Sequence, residues 1–293
     1  MSIQVVKIRD FVGHRQSIYC MAINPLTKEI YSAAGDGMIV KWYIDEQDGL
    51  LVARDESPIY SLCCFQNFII SGNSIGELMI IDSLNSHQPR KIKLIDAPIF
   101  DIQVIDKNIY TATGNGQLFV LTLDFEILTK IKVSNKSIRK IIQTKDGLAI
   151  AGSEPGIWLF DKNWQLLNVI HDFNSSVFAL AFHQQSQTLI SGGRDAVLNF
   201  HKTNLVILDT IKAHLLHVND IQFNTKQTLF LSASMDKTIK LWDFETQTLL
   251  KVIDKEKYDA HTSSVNKILW FDENTFISCS DDRTLKCYEI KEK

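Results

Sequence analysis

The sequence predicts an all-β fold, a seven-bladed β-propeller of four-stranded antiparallel blades, and three observations carry that expectation. A small residue recurs at Ser32, Ser71, Thr111, Ala151, Ser191, Ser232 and Ser278, at spacings of 39, 40, 40, 40, 41 and 46 residues. Each follows a β-branched or apolar run and precedes a small-residue turn and a second apolar run. Turn-forming clusters such as Asn24-Pro25, Lys145-Asp146-Gly147 and Asp272-Glu273-Asn274 cut the chain into segments of strand length. Self-similarity at a period near 40 over a whole chain marks one supersecondary unit copied end to end, and a unit of short strands at that period is one propeller blade.

The elements follow in order. Alternating apolar residues mark inner strands at Ile18, Cys20 and Ala22 in blade one, and at Ile99 and Ile102 in blade three. Blade five shows the same pattern at Val177, Ala179 and Ala181, and blade six at Val218, Ile221 and Phe223. Outer strands are expected at residues 50–54, 90–95, 127–133, 165–170, 205–211 and 248–253. That makes six outer strands for seven blades. Residues 3–9 supply the seventh, because they precede His14 as each outer strand precedes the next blade. The amino-terminal strand should therefore pair in the last blade and close the ring, removing an open sheet edge. One insertion, Lys255-Glu256-Lys257-Tyr258-Asp259, accounts for the longest spacing.

Length alone suggests two domains for 293 residues. The unbroken repeat instead predicts a single domain over residues 1–293, since one blade cannot bury its faces alone. A net charge of −3 and a pI near 6.2 argue against nucleic acid, whose phosphates need a dense cationic face. No apolar stretch approaches the ~20 residues of a membrane-spanning helix, and the first ten residues hold no signal-peptide core. Cys20, Cys63, Cys64, Cys279 and Cys287 all fall in expected strands, which fits free core thiols in a reducing, cytoplasmic setting.

The sixth repeat is the clearest. It runs from Ala213-His214 through Ser232-Ala233-Ser234-Met235-Asp236 to Leu241-Trp242-Asp243. It resembles the WD40 repeat, and the resemblance extends with uneven strength over nearly the whole chain. In that family a His, a Ser or Thr, an Asp and a Trp form a buried hydrogen-bonded tetrad. The resemblance places it at His14, Ser32, Asp36 and Trp42 in blade one, and at His214, Ser232, Asp236 and Trp242 in blade six. Blade seven keeps His261, Ser278 and Asp282, with Tyr288 in place of Trp. Blade five keeps Ser191 and Asp195 but has His201 at the Trp position, and His171 lies two residues early. In blades two to four, Ile75 and Asn115 replace the Asp, Ile81 and Leu121 the Trp, and Ala151 the Ser, while Phe160-Asp161 stands in for Trp-Asp after a deletion.

The family's top face is built by residues flanking the first inner-strand apolar position and by the residue before the turn Asp. Carried over, these include Tyr19, Tyr60, Phe100, Arg139, Phe178, Asn219 and Asn266, together with His217 and the turn positions Glu154, Arg194, Met235 and Asp281. Aromatics thus fall at one equivalent position in four blades. The resemblance implies a non-catalytic scaffold for protein or peptide partners, a monomeric propeller within larger complexes. A partner segment with an apolar anchor and an acidic group is expected across blades one to five.

The alternative is a propeller enzyme or small-molecule binder that uses the central channel mouth. Little in the sequence favours it. His214 and His217 have ligand-like spacing without Cys, Asp or Glu partners at zinc-site spacing, and His87, His171, His183 and His201 stand singly. No nucleophile elbow or phosphate loop appears, and Gly72-Asn73-Ser74-Ile75-Gly76 reads as a turn. No metal and no cofactor are expected.

Overall fold

The computed structural model describes residues 3–84, 89–171, 173–202 and 207–292. Seven four-stranded antiparallel sheets follow one another along the chain, the blades of a seven-bladed propeller. They fall into two compact units, residues up to 59 with those from 214, and residues 60–213.

In the first unit the amino-terminal strand β1 (Ile3–Val12) completes the last blade. It pairs antiparallel with the strand Thr284–Glu292, from Ile3↔Glu292 to Val12↔Thr284. The expected closing strand is present, and it extends beyond residue 9. Val5 packs into a core cluster with Leu231, Ile268 and Tyr288, and Phe11 into another with Trp42, Ile277 and Leu285. The buried Lys286 ammonium donates to Asp10 at 2.8 Å, which ties β1 to its partner by charge as well as by ladder.

The outer strands match the expected segments closely, at Leu50–Arg54, Arg90–Lys93, Ile127–Lys132, Leu166–Ile170 and Leu249–Ile253. The fifth blade's is described over Ile207–Lys212, and the expected start at Leu205 lies outside the described residues. The insertion forms a single helical turn, α1 (Lys255–Tyr258). Asp254 caps it by accepting from the Lys257 N–H. The next residue, Asp259, is ion-paired to Lys255 and to Lys7 of β1.

Two features of the ladders set up everything that follows. The second strand of each blade is buried almost throughout, as in Thr275–Ser280 and Gly147–Gly152. In blade one and in blades three to seven, the first strand carries one residue more than its partner. In blade one Ile18↔Ala34 is followed by Cys20↔Ala33, and the same slip occurs at Ile99/Asp101, Ile138/Lys140, Val177/Ala179, Val218/Asp220 and Val265/Lys267. A bulge of this kind leaves its extra residue off the ladder and re-aims that side chain.

The register also corrects the frame of blade four. Leu148 faces Phe160 as Phe230 faces Trp242, and Ile141 faces Ile150 as Ile221 faces Ser232. Ile150, not Ala151, therefore occupies the Ser position. The shortening lies in the tight connection between the first two strands, where Thr144 donates to the Gly147 carbonyl.

Deleting residues 1–10 removes most of β1 and strands Lys286 without its carboxylate. At about 1 kcal/mol per lost ladder bond, the loss should reach several kcal/mol. Thermal unfolding of the truncated chain should show a much lower Tm or outright insolubility. A Tm within a degree of the full chain would refute the role assigned to this strand.

Candidate partner-binding surface

The tetrads form as networks. In blade one His14 Nδ1 lies 3.2 Å from both Asp36 oxygens, His14 Nε2 lies 2.8 Å from Ser32 Oγ, and Trp42 Nε1 donates to the same Oγ at 2.8 Å. Blade six repeats this at 3.0, 2.7 and 2.9 Å with His214, Ser232, Asp236 and Trp242. One proton arrangement satisfies every member: Nδ1–H donates to the carboxylate, the hydroxyl donates to Nε2, and the hydroxyl oxygen accepts from the indole. Each carboxylate also accepts from the backbone N–H after the histidine, at Arg15, Leu215 and Thr262.

Blade seven keeps His261 Nδ1 2.9 Å from Asp282 and Nε2 2.8 Å from Ser278. There Tyr288 takes the Trp position, and its buried hydroxyl has no partner among the described residues. Blade five exchanges its members. His201 at the Trp position lies 3.0 Å from Ser191 Oγ, and Phe173 fills the His position with its ring 5.5 Å from the imidazole. Asp195 is left exposed.

Blade four builds a shorter version that the sequence reading missed. With Ile150 in the Ser frame, Glu154 falls at the Asp position. It accepts from Ser134 Oγ at 2.6 Å and from the Asn135 N–H at 2.9 Å. Glu154 is therefore a structural residue of the turn, and Ser153 takes the rim position assigned to it.

Several of the rim positions are bulged residues. Tyr19, Phe100, Arg139, Phe178, Asn219 and Asn266 are each skipped by the ladder register. Within residues 60–213 four rim side chains come together. The Tyr60 and Phe100 rings lie 5.6 Å apart, and the Arg139 guanidinium sits 4.0 Å from the Phe100 centroid and 5.7 Å from that of Phe178. All three rings are half-buried and Arg139 is exposed. Although the residue is exposed, desolvation of its guanidinium against the rings lowers the Arg139 pKa, opposed by the nearby Tyr60. A chain of hydroxyls continues the rim: Ser137 Oγ lies 2.6 Å from Ser153 Oγ, and Ser176 Oγ donates to the Ser153 carbonyl. The exposed Arg194 follows, its N–H on the Ser176 carbonyl.

In the other unit the equivalent positions are engaged internally. The Asn219 amide donates to Ser264 Oγ and the Val265 carbonyl, and the Asn266 amide to the Ile18 carbonyl and Asp281. His217 is half-buried, its carbonyl accepting from the exposed Met235. Tyr19 is half-buried. Leu215 and Leu216, beside His214, are exposed at 88% and 46%. Nothing in their spacing distinguishes them from core leucines. Of the lone histidines, His183 is buried against Ser186, and His87 lies outside the described residues.

Fold and tetrads together define a WD40-repeat propeller. The family model described as WD domain, G-beta repeat matches residues 5–42, 164–201, 205–243 and 254–289, just over half of the chain. The chain belongs to the WD40 family. The unmatched stretch covers blades two to four, where tetrad members are replaced. The chain is 20% identical over 296 residues to the 66 kDa stress protein of Physarum polycephalum, covering 97% of this chain and 48% of that protein. It is 30% identical over 117 residues to the WD repeat-containing protein 55 homolog of Aedes aegypti, covering 39% and 24%. The chain thus spans about half, or less, of the length of these relatives. The crystal structure of the WD40 beta propeller domain of Doa1 superposes with a TM-score of 0.88 at 16% identity, covering 99% of this chain and 98% of that one, a likeness of fold.

The tetrads carry a pH signature. Burial lowers the pKa of His14, His214 and His261 from 6.5, outweighing the pull of their carboxylates. A depressed histidine favours the folded state fully above pH 6.5 and loses that contribution as pH falls. Burial also works to raise the Asp236 carboxyl, but His214, Thr238 and the Leu215 N–H more than offset it and hold it well below the usual range. Its contribution disappears only as pH falls below 3.8. The Tm should therefore decline between pH 7.5 and 5. At pH 7.5, Asp236→Ala should cost ~1–3 kcal/mol or more, for broken bonds to a charged group. Ile75→Ala, in the same frame but 45% exposed, should cost far less. Equal losses by denaturant unfolding would remove the tetrad's structural role.

Proposed function

We propose that this chain, like WD40 propellers typically, is a non-catalytic protein-interaction scaffold, and that it docks a protein or peptide partner on the rim of residues 60–213. The carrying observation is the cluster of Tyr60, Phe100, Arg139 and Phe178, three partly open rings gathered around an exposed guanidinium. Tyr and Arg are enriched among residues that dominate binding energy, and a partly exposed aromatic cluster offers apolar area whose burial favours association. The side chains are preorganised as well. Cation–π contact holds the arginine over the rings before any partner arrives, which lowers the entropic cost of docking. Phe100, Arg139 and Phe178 lie off the ladder, so their side chains can be replaced without shifting the strand register.

A Tyr60→Ala, Phe100→Ala variant should keep its Tm within a few degrees. In pull-down from the native source, with the wild-type chain as parallel bait, it should lose the partners that the wild type retains. Equal recovery by the folded variant would move the docking site off this rim.

A further inference from the structure

The geometry points to Arg139 as a carboxylate receptor, reading an aspartate or glutamate side chain in the middle of an extended partner segment. The inference rests on the rim of residues 60–213 being the docking surface. Arg139 is exposed, yet it makes no hydrogen bond and no ion pair among the described residues. Its contacts are ring contacts, with Phe100 at 4.0 Å and Phe178 at 5.7 Å. A guanidinium carries five N–H donors in a planar fork, and aromatic faces satisfy none of them as a hydrogen-bond acceptor would. Rings therefore fix the group and partly dehydrate it while leaving its donors open.

The acids nearby do not neutralise it. Asp101, the next residue after Phe100, accepts from the Ile102 and Ile141 N–H groups and from Gln103. Glu154 is held by Ser134 and Asn135. The rim beside Arg139 is neutral, with the Ser137 and Ser153 hydroxyls bonded to each other. The side chains that touch Arg139 are neutral and the next cation on the rim, Arg194, comes only after Ser153 and Ser176, so a single planar fork is presented, which matches one carboxylate taken bidentately. A dianionic phosphate calls for more positive charge than these neighbours supply.

The order of the blades places the acid within the segment. The first strands of blades three, four and five pack in succession, so Tyr60 and Phe100 precede Arg139 and Phe178 follows it. A segment that covers the rings on both sides presents its acid between them. That requires a side chain with residues before and after it, not a chain-terminal carboxylate.

A positional array of end-capped synthetic heptapeptides, probed with the full chain, tests this. The wild type should select Glu or Asp at the central position, with aromatic or aliphatic residues within two positions of it. For the best central-Glu peptide, Gln substitution should weaken binding tenfold or more. Arg139→Gln should abolish the acidic preference at unchanged Tm, and Arg139→Lys, which keeps charge but not the fork, should weaken binding severalfold. An acidic preference that survives Arg139→Gln would overturn the inference. So would equal binding by Arg139→Lys, central phosphoserine outcompeting Glu, preference for a free carboxyl terminus, or no selection at all. If Tyr60→Ala, Phe100→Ala loses its partners while the array shows no acidic preference, the docking surface stands and only the carboxylate assignment fails.

Discussion

Burial of the second strand is the constraint on which each blade depends. Gly147–Gly152, Thr188–Gly193 and Thr275–Ser280 are closed to water along their whole length. A polar atom placed there must find its partner inside the protein, at a penalty of ~1–3 kcal/mol if it does not. The seven blades meet that demand differently. Blades one and six use the full His–Ser–Asp–Trp network. Blade five lets His201 reach the serine directly, and Phe173 packs where the usual histidine would stand. Blade four removes the polar atom with Ile150 and Phe160, both buried. Blade three keeps Thr111 beside Leu121 and leaves the threonine hydroxyl without a partner among the described residues. Blades one, five and six satisfy the polar atom and blade four removes it, whereas blade three leaves it buried.

Much of this was legible in the sequence because the period survives where the motif does not. Apolar runs and turn residues recur in all seven blades, so strand order, the shared role of residues 3–9 and nearly every outer strand could be read from them. The networks of blades one and six were legible for a further reason, since each needs four residue types at fixed offsets, and blade seven keeps three of them. Blade four was misread because a small residue, Ala151, sits beside the true position and a forty-residue count lands on it. Hydrogen-bond register decides such cases, and a one-residue slip carries the neighbouring assignments with it. Glu154 moved from the rim to the turn for that reason. The commitment of Asn219 and Asn266 was also invisible, because their partners, the Val265 and Ile18 carbonyls, belong to neighbouring blades.

The first-strand bulge separates what the blade needs from what the surface offers. Ladder positions on either side of it are held to apolar or hydrogen-bonded residues, as Ile99, Asp101, Val218 and Asp220 illustrate. The skipped residue escapes that restriction, and the blades fill it with Tyr, Phe, Arg or Asn. In the unit containing the chain termini the amides turn inward to bond neighbouring strands. In residues 60–213 the side chains are aromatic or cationic, and they contact one another. The same backbone device thus yields an internally bonded rim in one unit and an open aromatic and cationic rim in the other.

The proposed docking surface must also be held still, and the blades that would carry it are those with replaced tetrads. Direct ties between first strands supply the rigidity. Ser61 Oγ donates to the Ile99 carbonyl at 2.9 Å, linking blades two and three. Asp101 accepts from the Ile141 N–H at 2.8 Å, linking three and four, and Ser176 Oγ reaches the Ser153 carbonyl at 3.0 Å, linking four and five. Each tie lies within a few residues of Tyr60, Phe100, Arg139 or Phe178, so the rings and the guanidinium stand on strands that are braced to one another where they emerge. A tetrad stiffens its own blade along the second strand. Strand-to-strand bonds fix the spacing between blades, and that spacing sets the distances among rim side chains. For a surface whose members come from four successive blades, bracing between blades is the more direct route to preorganisation.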